Sequence, residues 1–142
     1  MNHMQNRFFI RSAAAMVLLL AVSSSFAALP PGAVDAMKKD ATDHVALKII
    51  KVQRIKSEKK TAGYINLVYT AKVTKVKRSK SGLKPGAVIT TKAYHWSKAG
   101  LLPPGPKNPP LLKADWVGSI YLNAVDLKKH HFKLAAYGHS FD

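Results

Sequence analysis

The chain has 142 residues, with 23 basic and 7 acidic side chains and no cysteine. This inventory excludes disulfide staples, thiolate metal sites, thiol catalysis and haem attachment through Cys-x-x-Cys-His, so the fold must rest on its apolar core. A formal charge of +16 favours polyanionic partners and by itself says nothing about fold.

The N-terminus carries a targeting pattern. Arg7 and Arg11 precede an unbroken apolar run from Ala13 to Val22, and Ser23-Ser24-Ser25-Phe26-Ala27 follows. A charged n-region, a short h-region and a small-x-small site read as a secretory signal peptide over 1–27, cleaved after Ala27. A ten-residue helix of this kind reaches about 15 Å, half of a bilayer core of roughly 30 Å. The expectation is a periplasmic or secreted protein with no transmembrane anchor after cleavage. Losing Arg7 and Arg11 from the 23 basic residues leaves 21 against 7 acidic, a formal +14.

Residues 28–43 read as a leader. Pro30-Pro31-Gly32 breaks regular structure, and Ala33 to Lys39 allows one or two helical turns. From His44 the period is two. Val45, Leu47 and Ile49 alternate with Ala46 and Lys48, and the phase slips at Ile49-Ile50, which predicts a bulge. Ser57 to Gly63 is a charged hairpin connection. In the next strand Ile65, Leu67, Tyr69, Ala71 and Val73 face one way, and the break at Val76 predicts a second bulge at Thr74-Lys75. Turn signals at Ser79–Gly82 and Lys84–Gly86 lead into a strand over 87–96. The five prolines of 97–110 preclude helix and sheet, which predicts an extended connection. Strands are expected over 111–122 and 132–141, joined by 123–131. The whole predicts an all-β fold, a small five-stranded OB-like barrel over 44–142 behind the signal peptide.

Two motifs carry a family resemblance. Tyr69-Thr70-Ala71-Lys72-Val73-Thr74-Lys75-Val76, followed by Gly82-Leu83-Lys84-Pro85-Gly86-Ala87-Val88-Ile89-Thr90, resembles the long strand and "L-K-P-G-x-x-I" turn of netrin-like domains. Leu111 to Leu122, with Gly118, Tyr121 and Leu122, is similar to that family's "L-x-x-G-x-x-Y-L" strand. The resemblance spans about 65–142 and implies an OB-type barrel used as a binding or inhibitory module. It also covers the tissue inhibitors of metalloproteinases, which ligate zinc through an N-terminal cysteine. This chain has none, so that route is not carried over.

The basic residues supply the leading candidate surface. Lys72, Lys75, Lys77, Arg78, Lys80 and Lys84 follow one strand and its loop. Lys48, Lys51, Arg54, Lys56, Lys59 and Lys60 follow its expected neighbour. OB barrels bind linear polymers across such faces with aromatic side chains interleaved, for which Tyr64, Tyr94 and Trp96 are candidates. A solvated face without a partner is the plain alternative. Export excludes cytoplasmic nucleic acid, leaving an anionic polymer or an acidic protein of the cell envelope.

Other chemistry is thinner. His130, His131 and His139 are the candidates for a thiolate-free metal site, with His44 and His95 elsewhere, but no H-x-x-x-H spacing occurs. A paired-carboxylate site needs Asp115 and Asp126 to converge. A hydrolytic triad needs Ser119 or Ser140 with His139 and Asp126, and neither serine sits in a nucleophile elbow. The reading is therefore an exported, non-enzymatic binding module with a strongly basic surface and no cofactor. A periplasmic histidine-based metal-binding protein is the alternative, and a small hydrolase the third.

Overall fold

The computed structural model of the chain describes residues 29–55, 63–97 and 105–142. The expected signal peptide over 1–27, the hairpin tip with Lys56, Lys59 and Lys60, and positions 98–104 of the proline-rich connection lie outside the described residues.

Five strands close into a barrel in the order β1-β2-β3-β5-β4. They are β1 Asp43–Ile55, β2 Tyr64–Ser79, β3 Val88–Trp96, β4 Val117–Asp126 and β5 His131–Leu134. β1 pairs with both β2 and β4, which closes the ring, and β3–β5 is the parallel contact. This is the OB-like barrel that the alternation predicts. Val45, Leu47 and Ile49 of β1 meet Leu67, Tyr69, Ala71 and Val73 of β2 inside it, with Ile89, Ile120, Leu122 and Phe132 from the other strands. Burying each large apolar side chain contributes roughly 1.5–3 kcal/mol before entropy is counted.

Both predicted bulges are present. Ile49 faces Ala71 and Lys51 faces Thr70, so Ile50 is the extra residue, and its side chain is exposed. Leu47 faces Val73 and Ala46 faces Lys75, which leaves Thr74 unopposed. Lys77 is a third extra residue, between Val76 and Arg78. Each insertion restores the inward phase after a bend, so a strand of 16 residues wraps the barrel without exposing its apolar row.

The last two strands differ from expectation. β4 starts at Val117, not 111, because Ala114-Asp115 forms a turn with Asp115 at φ 70. Asp is among the residues that tolerate this left-handed backbone. The turn hydrogen-bonds to β1 on both sides, Asp115 N–H to Ile49 O and Ile49 N–H to Trp116 O. Ahead of it Leu112 is buried among the core residues, and its N–H donates to the Tyr69 hydroxyl at 3.1 Å. β4 then runs on to Asp126, and only 127–130 turn before β5. β5 ends at Leu134, and a 3-10 turn over Tyr137–Ser140 replaces the rest of the expected strand. Gly138 permits the close backbone approach made in this turn. A Cβ there would lie 2.4 Å from the Lys107 carbonyl oxygen, to which its N–H donates. Phe141 returns to bridge Ile120.

The leader is partly built into the barrel. Helix α1, Ala33–Asp40, buries no residue fully and has no side-chain N-cap. Its C-terminal end is held by Arg78, whose Nη2 donates to Lys38 O and Ala41 O. Such a cation also complements the negative end of the helix dipole. Ala41 and Asp43 are wholly buried, and β1 begins at Asp43.

Candidate functional site

The outer face of β1 and β2 carries the expected cations. Lys48 stands directly opposite Lys72, Ala46 opposite Lys75, and Lys51 opposite Thr70. Lys48, Lys51, Lys72, Lys75 and Lys77 are all exposed, as are Lys80 and Lys84 in the loop after β2 and Arg54 near the end of β1. Like charges directly opposed across two strands are unfavourable. Relief comes from Asp115, whose carboxylate is 3.0 Å from Lys48 Nζ. Among the described residues no ion pair involves Lys51, Lys72, Lys75 or Lys77. Arg78 departs from the expected set. Its guanidinium is engaged with the end of α1, so it anchors the leader rather than facing a ligand.

The aromatic candidates do not interleave with these lysines. Tyr64 packs edge-on against Tyr94 at 5.7 Å and Trp96 at 4.7 Å, at the β1–β2 hairpin end of the sheet. Eight residues of strand separate Tyr64 from Lys72, about 26 Å at 3.3 Å per residue. Trp96 also covers Gly63, where a Cβ would lie 2.5 Å from its ring. Trp96 therefore closes the sheet end rather than presenting a free stacking face.

The histidine and acidic constellations are not assembled. Among the described residues no three His, Asp or Glu side chains come together in a metal-binding arrangement. His130 occupies the β4–β5 turn at φ 53, His131 is exposed on β5 and His139 lies in the 3-10 turn. Asp115 and Asp126 flank opposite ends of β4, and Asp126 accepts the Lys129 N–H within its own turn. Ser140 Oγ is buried and accepts the Ala136 N–H.

Two polar clusters went unnoticed in the sequence. Asp43 is wholly buried, with Oδ1 accepting from Ser79 Oγ at 2.5 Å and Ser81 Oγ at 2.6 Å, and Oδ2 accepting from Thr42 Oγ1 at 2.7 Å. It ties the start of β1 to the end of β2. On the outside, His44 stacks on Tyr121 at 3.8 Å, and Lys38 of α1 lies over the same ring while pairing with Asp142 at 2.8 Å. The Lys38 hydrogen bond holds the Asp142 carboxyl below its ordinary range, against the opposing effect of burial. Burial, aided by the nearby Lys77 charge, holds His44 below 6.5, and Asp142 only partly counters this. His44 Nε2 lies 3.4 Å from Asp142 without a hydrogen bond.

A cleft of about 310 Å³ opens beside α1 on the outer face of β3 and β5, lined by Met37, Lys92, Tyr94, Asn123, Lys133 and Tyr137. Its residues come from five elements spread along the chain, so period-two reading alone does not gather them. The chain matches no protein-family model, and comparison with curated proteins and with solved structures gives no match either.

Proposed function

We propose that the protein is an exported, non-enzymatic binding module that contacts an anionic polymer or an acidic protein of the cell envelope through the outer face of β1 and β2. The observation that carries this reading is the Lys48–Lys72 opposition, extended by Lys51, Lys75 and Lys77. A row of cations with a single exposed carboxylate partner among the described residues, Asp115 on Lys48, is locally unfavourable in the free protein and is relieved when a polyanion neutralises it. The netrin-like resemblance over 65–142 and the OB-like barrel support a binding role by analogy. Export rests on the pattern of residues 1–27. N-terminal sequencing of the exported protein is expected to begin at Ala28, and Met1 retained would overturn it.

Heparin affinity as a function of salt tests the surface. Contacts to a charged polymer release counterions, so log K is expected to fall linearly with log salt, with the slope reduced by about one per lysine removed. Lys75→Glu with Lys77→Glu is expected to weaken binding while leaving the melting temperature nearly unchanged, because both side chains are exposed. Lys39→Glu with Lys128→Glu is the charge-matched control, both being exposed and off this face. Lys38 is unsuitable there because it pairs with Asp142. Equal losses from both double variants would mean that net charge alone attracts the polymer.

A further inference from the structure

The cleft beside α1 has a chemistry of its own, distinct from the β1–β2 face. Lys92 of β3 and Lys133 of β5 are register partners across the parallel contact, and both are exposed. Neighbouring strands lie about 4.8 Å apart, so the two lysine side chains leave the same face side by side. Neither has an ion-pair partner among the described residues. Adjacent cations of this kind suit one multivalent oxyanion, since lysine serves phosphate as a compact point charge.

Rings flank that cation pair. Tyr94 is two residues beyond Lys92 on the same outward side of β3 and lines the cleft. Tyr137 lines it from the 3-10 turn with φ 49, a left-handed conformation unusual for a bulky residue. The neighbouring backbone holds it there. Gly138 N–H is bonded to Lys107 O, and Ala136 N–H to Ser140 Oγ. Strain kept in place by its surroundings at the edge of a cleft is a recurrent feature of ligand sites. Met37 of α1 adds an apolar wall, and Asn123, whose Oδ1 accepts the Thr42 N–H, is a further polar residue of the lining. At about 310 Å³ the volume sits at the lower end of the range for small-molecule sites, roughly 300–1,000 Å³. It admits one ring with one acidic group.

We infer that this cleft binds a hexose phosphate, with Lys92 and Lys133 holding the phosphate and Tyr94 and Tyr137 packing the apolar face of the sugar ring. The sugar phosphate comes either free in solution or as the headgroup of a glycolipid, and the chemistry recognised is the same. A nucleotide also presents a ring and a phosphate, and its binding is one of the outcomes the experiment separates. The inference stands apart from the polyanion face, whose lysines lie on β1 and β2.

Calorimetric titration of the purified protein with glucose 1-phosphate tests it, alongside methyl glucoside, inorganic phosphate and uridine monophosphate. A parallel arm uses phosphatidylcholine vesicles doped with monophosphoryl lipid A. Binding of glucose 1-phosphate in preference to the three small comparison molecules is expected, and binding only to the doped vesicles assigns the headgroup source. Lys92→Gln or Lys133→Gln is expected to weaken binding about tenfold or more, the loss of one charge-assisted contact. Tyr137→Gly, which suits the backbone, should weaken sugar phosphate binding and leave inorganic phosphate unaffected. Lys75→Glu with Lys77→Glu should leave the cleft's affinity unchanged, so failure of the polyanion reading is distinguishable. No binding in either arm, equal affinity for inorganic phosphate or the nucleotide, or indifference to the Lys92 and Lys133 changes would overturn the inference.

Discussion

Replacing Asp43 by alanine removes an acceptor on which three hydroxyl groups converge at 2.5 to 2.7 Å, from Ser79, Ser81 and Thr42. The site is wholly buried, so water does not take over these contacts in the folded state. Hydrogen bonds to a charged group contribute roughly 1.5–3 kcal/mol each, but three that share one carboxylate are not additive. Rotation of the hydroxyls towards other acceptors recovers part of the loss. Ser79 Oγ already sits 3.3 Å from Ser81 Oγ and accepts the Leu83 N–H at 2.8 Å. Relieving the desolvated charge offsets a further part. The expected net cost of Asp43→Ala is about 3 kcal/mol, a large share of a typical total of roughly 5–15 kcal/mol. Asp43→Asn keeps one acceptor oxygen and should cost less, about 1–2 kcal/mol. Urea unfolding followed by circular dichroism measures both, with an unchanged m-value showing that the same surface is exposed. A cost for Asp43→Ala below about 0.5 kcal/mol, the scale of an ordinary surface change, would refute the claim that this carboxylate organises the barrel end.

Three further outcomes are expected. Tyr69→Phe leaves the Leu112 N–H without its acceptor and should cost about 1–3 kcal/mol by urea unfolding; a neutral result would mean that the connection does not depend on this bond. Gly118→Ala places a Cβ 2.3 Å from the Trp116 ring, so about 1–3 kcal/mol of destabilisation and a shifted tryptophan emission are expected, and an unchanged spectrum would sink the contact. His44 and Asp142 both have lowered folded values. The unfolded chain therefore binds more protons below pH 6.5 for His44 and below about 4 for Asp142, and stability falls with acid through both windows. His44→Phe keeps a ring against Tyr121 and should flatten the first window, as urea midpoints near pH 7.5 and 5.5 would reveal.

The barrel was legible because its inner face obeys period two almost without exception. Val45, Leu47 and Ile49, then Leu67, Tyr69, Ala71 and Val73, are the positions that pack the core. Even the bulges left a mark, since an inserted residue breaks the apolar phase at Ile50 and Thr74. The same phase carried a signal for Asp43. It continues the inward row of 45, 47 and 49 by one step, and Ser79 is its partner in the register. The alternation is read from His44, which leaves Asp43 in the leader over 28–43, whereas the structure buries it with three hydroxyl donors at the start of β1. Strand ends were less legible because tertiary contacts decide them. Asp115 turns against Ile49, and Gly138 lies against the Lys107 carbonyl, two contacts distant in sequence. The cleft was hidden for a related reason. Lys92 and Lys133 become neighbours only through the parallel β3–β5 pairing, which no local pattern encodes.

The distribution of acidic groups decides how the positive charge is displayed. A surface tuned for solubility intersperses both signs. Here Asp43 is inside the barrel, Asp126 serves its own turn, and Asp142 is engaged by Lys38. Asp35 and Asp40 belong to α1, so among the described residues Asp115 is the carboxylate paired on the β1–β2 face, and a pair this exposed contributes little. The basicity is thus concentrated by folding rather than spread evenly. The cations are also almost all lysine. Beyond Arg7 and Arg11 the chain has only Arg54 and Arg78, and Arg78 is committed to α1. Lysines are strongly hydrated point charges without a fixed fork, so they suit contacts that are long-range, sequence-tolerant and readily exchanged. A polyanion meeting such a face is steered towards it and held by salt-sensitive contacts. Tight, geometry-specific recognition requires a bounded site, and the cleft at Lys92 and Lys133 has the walls that the open face lacks.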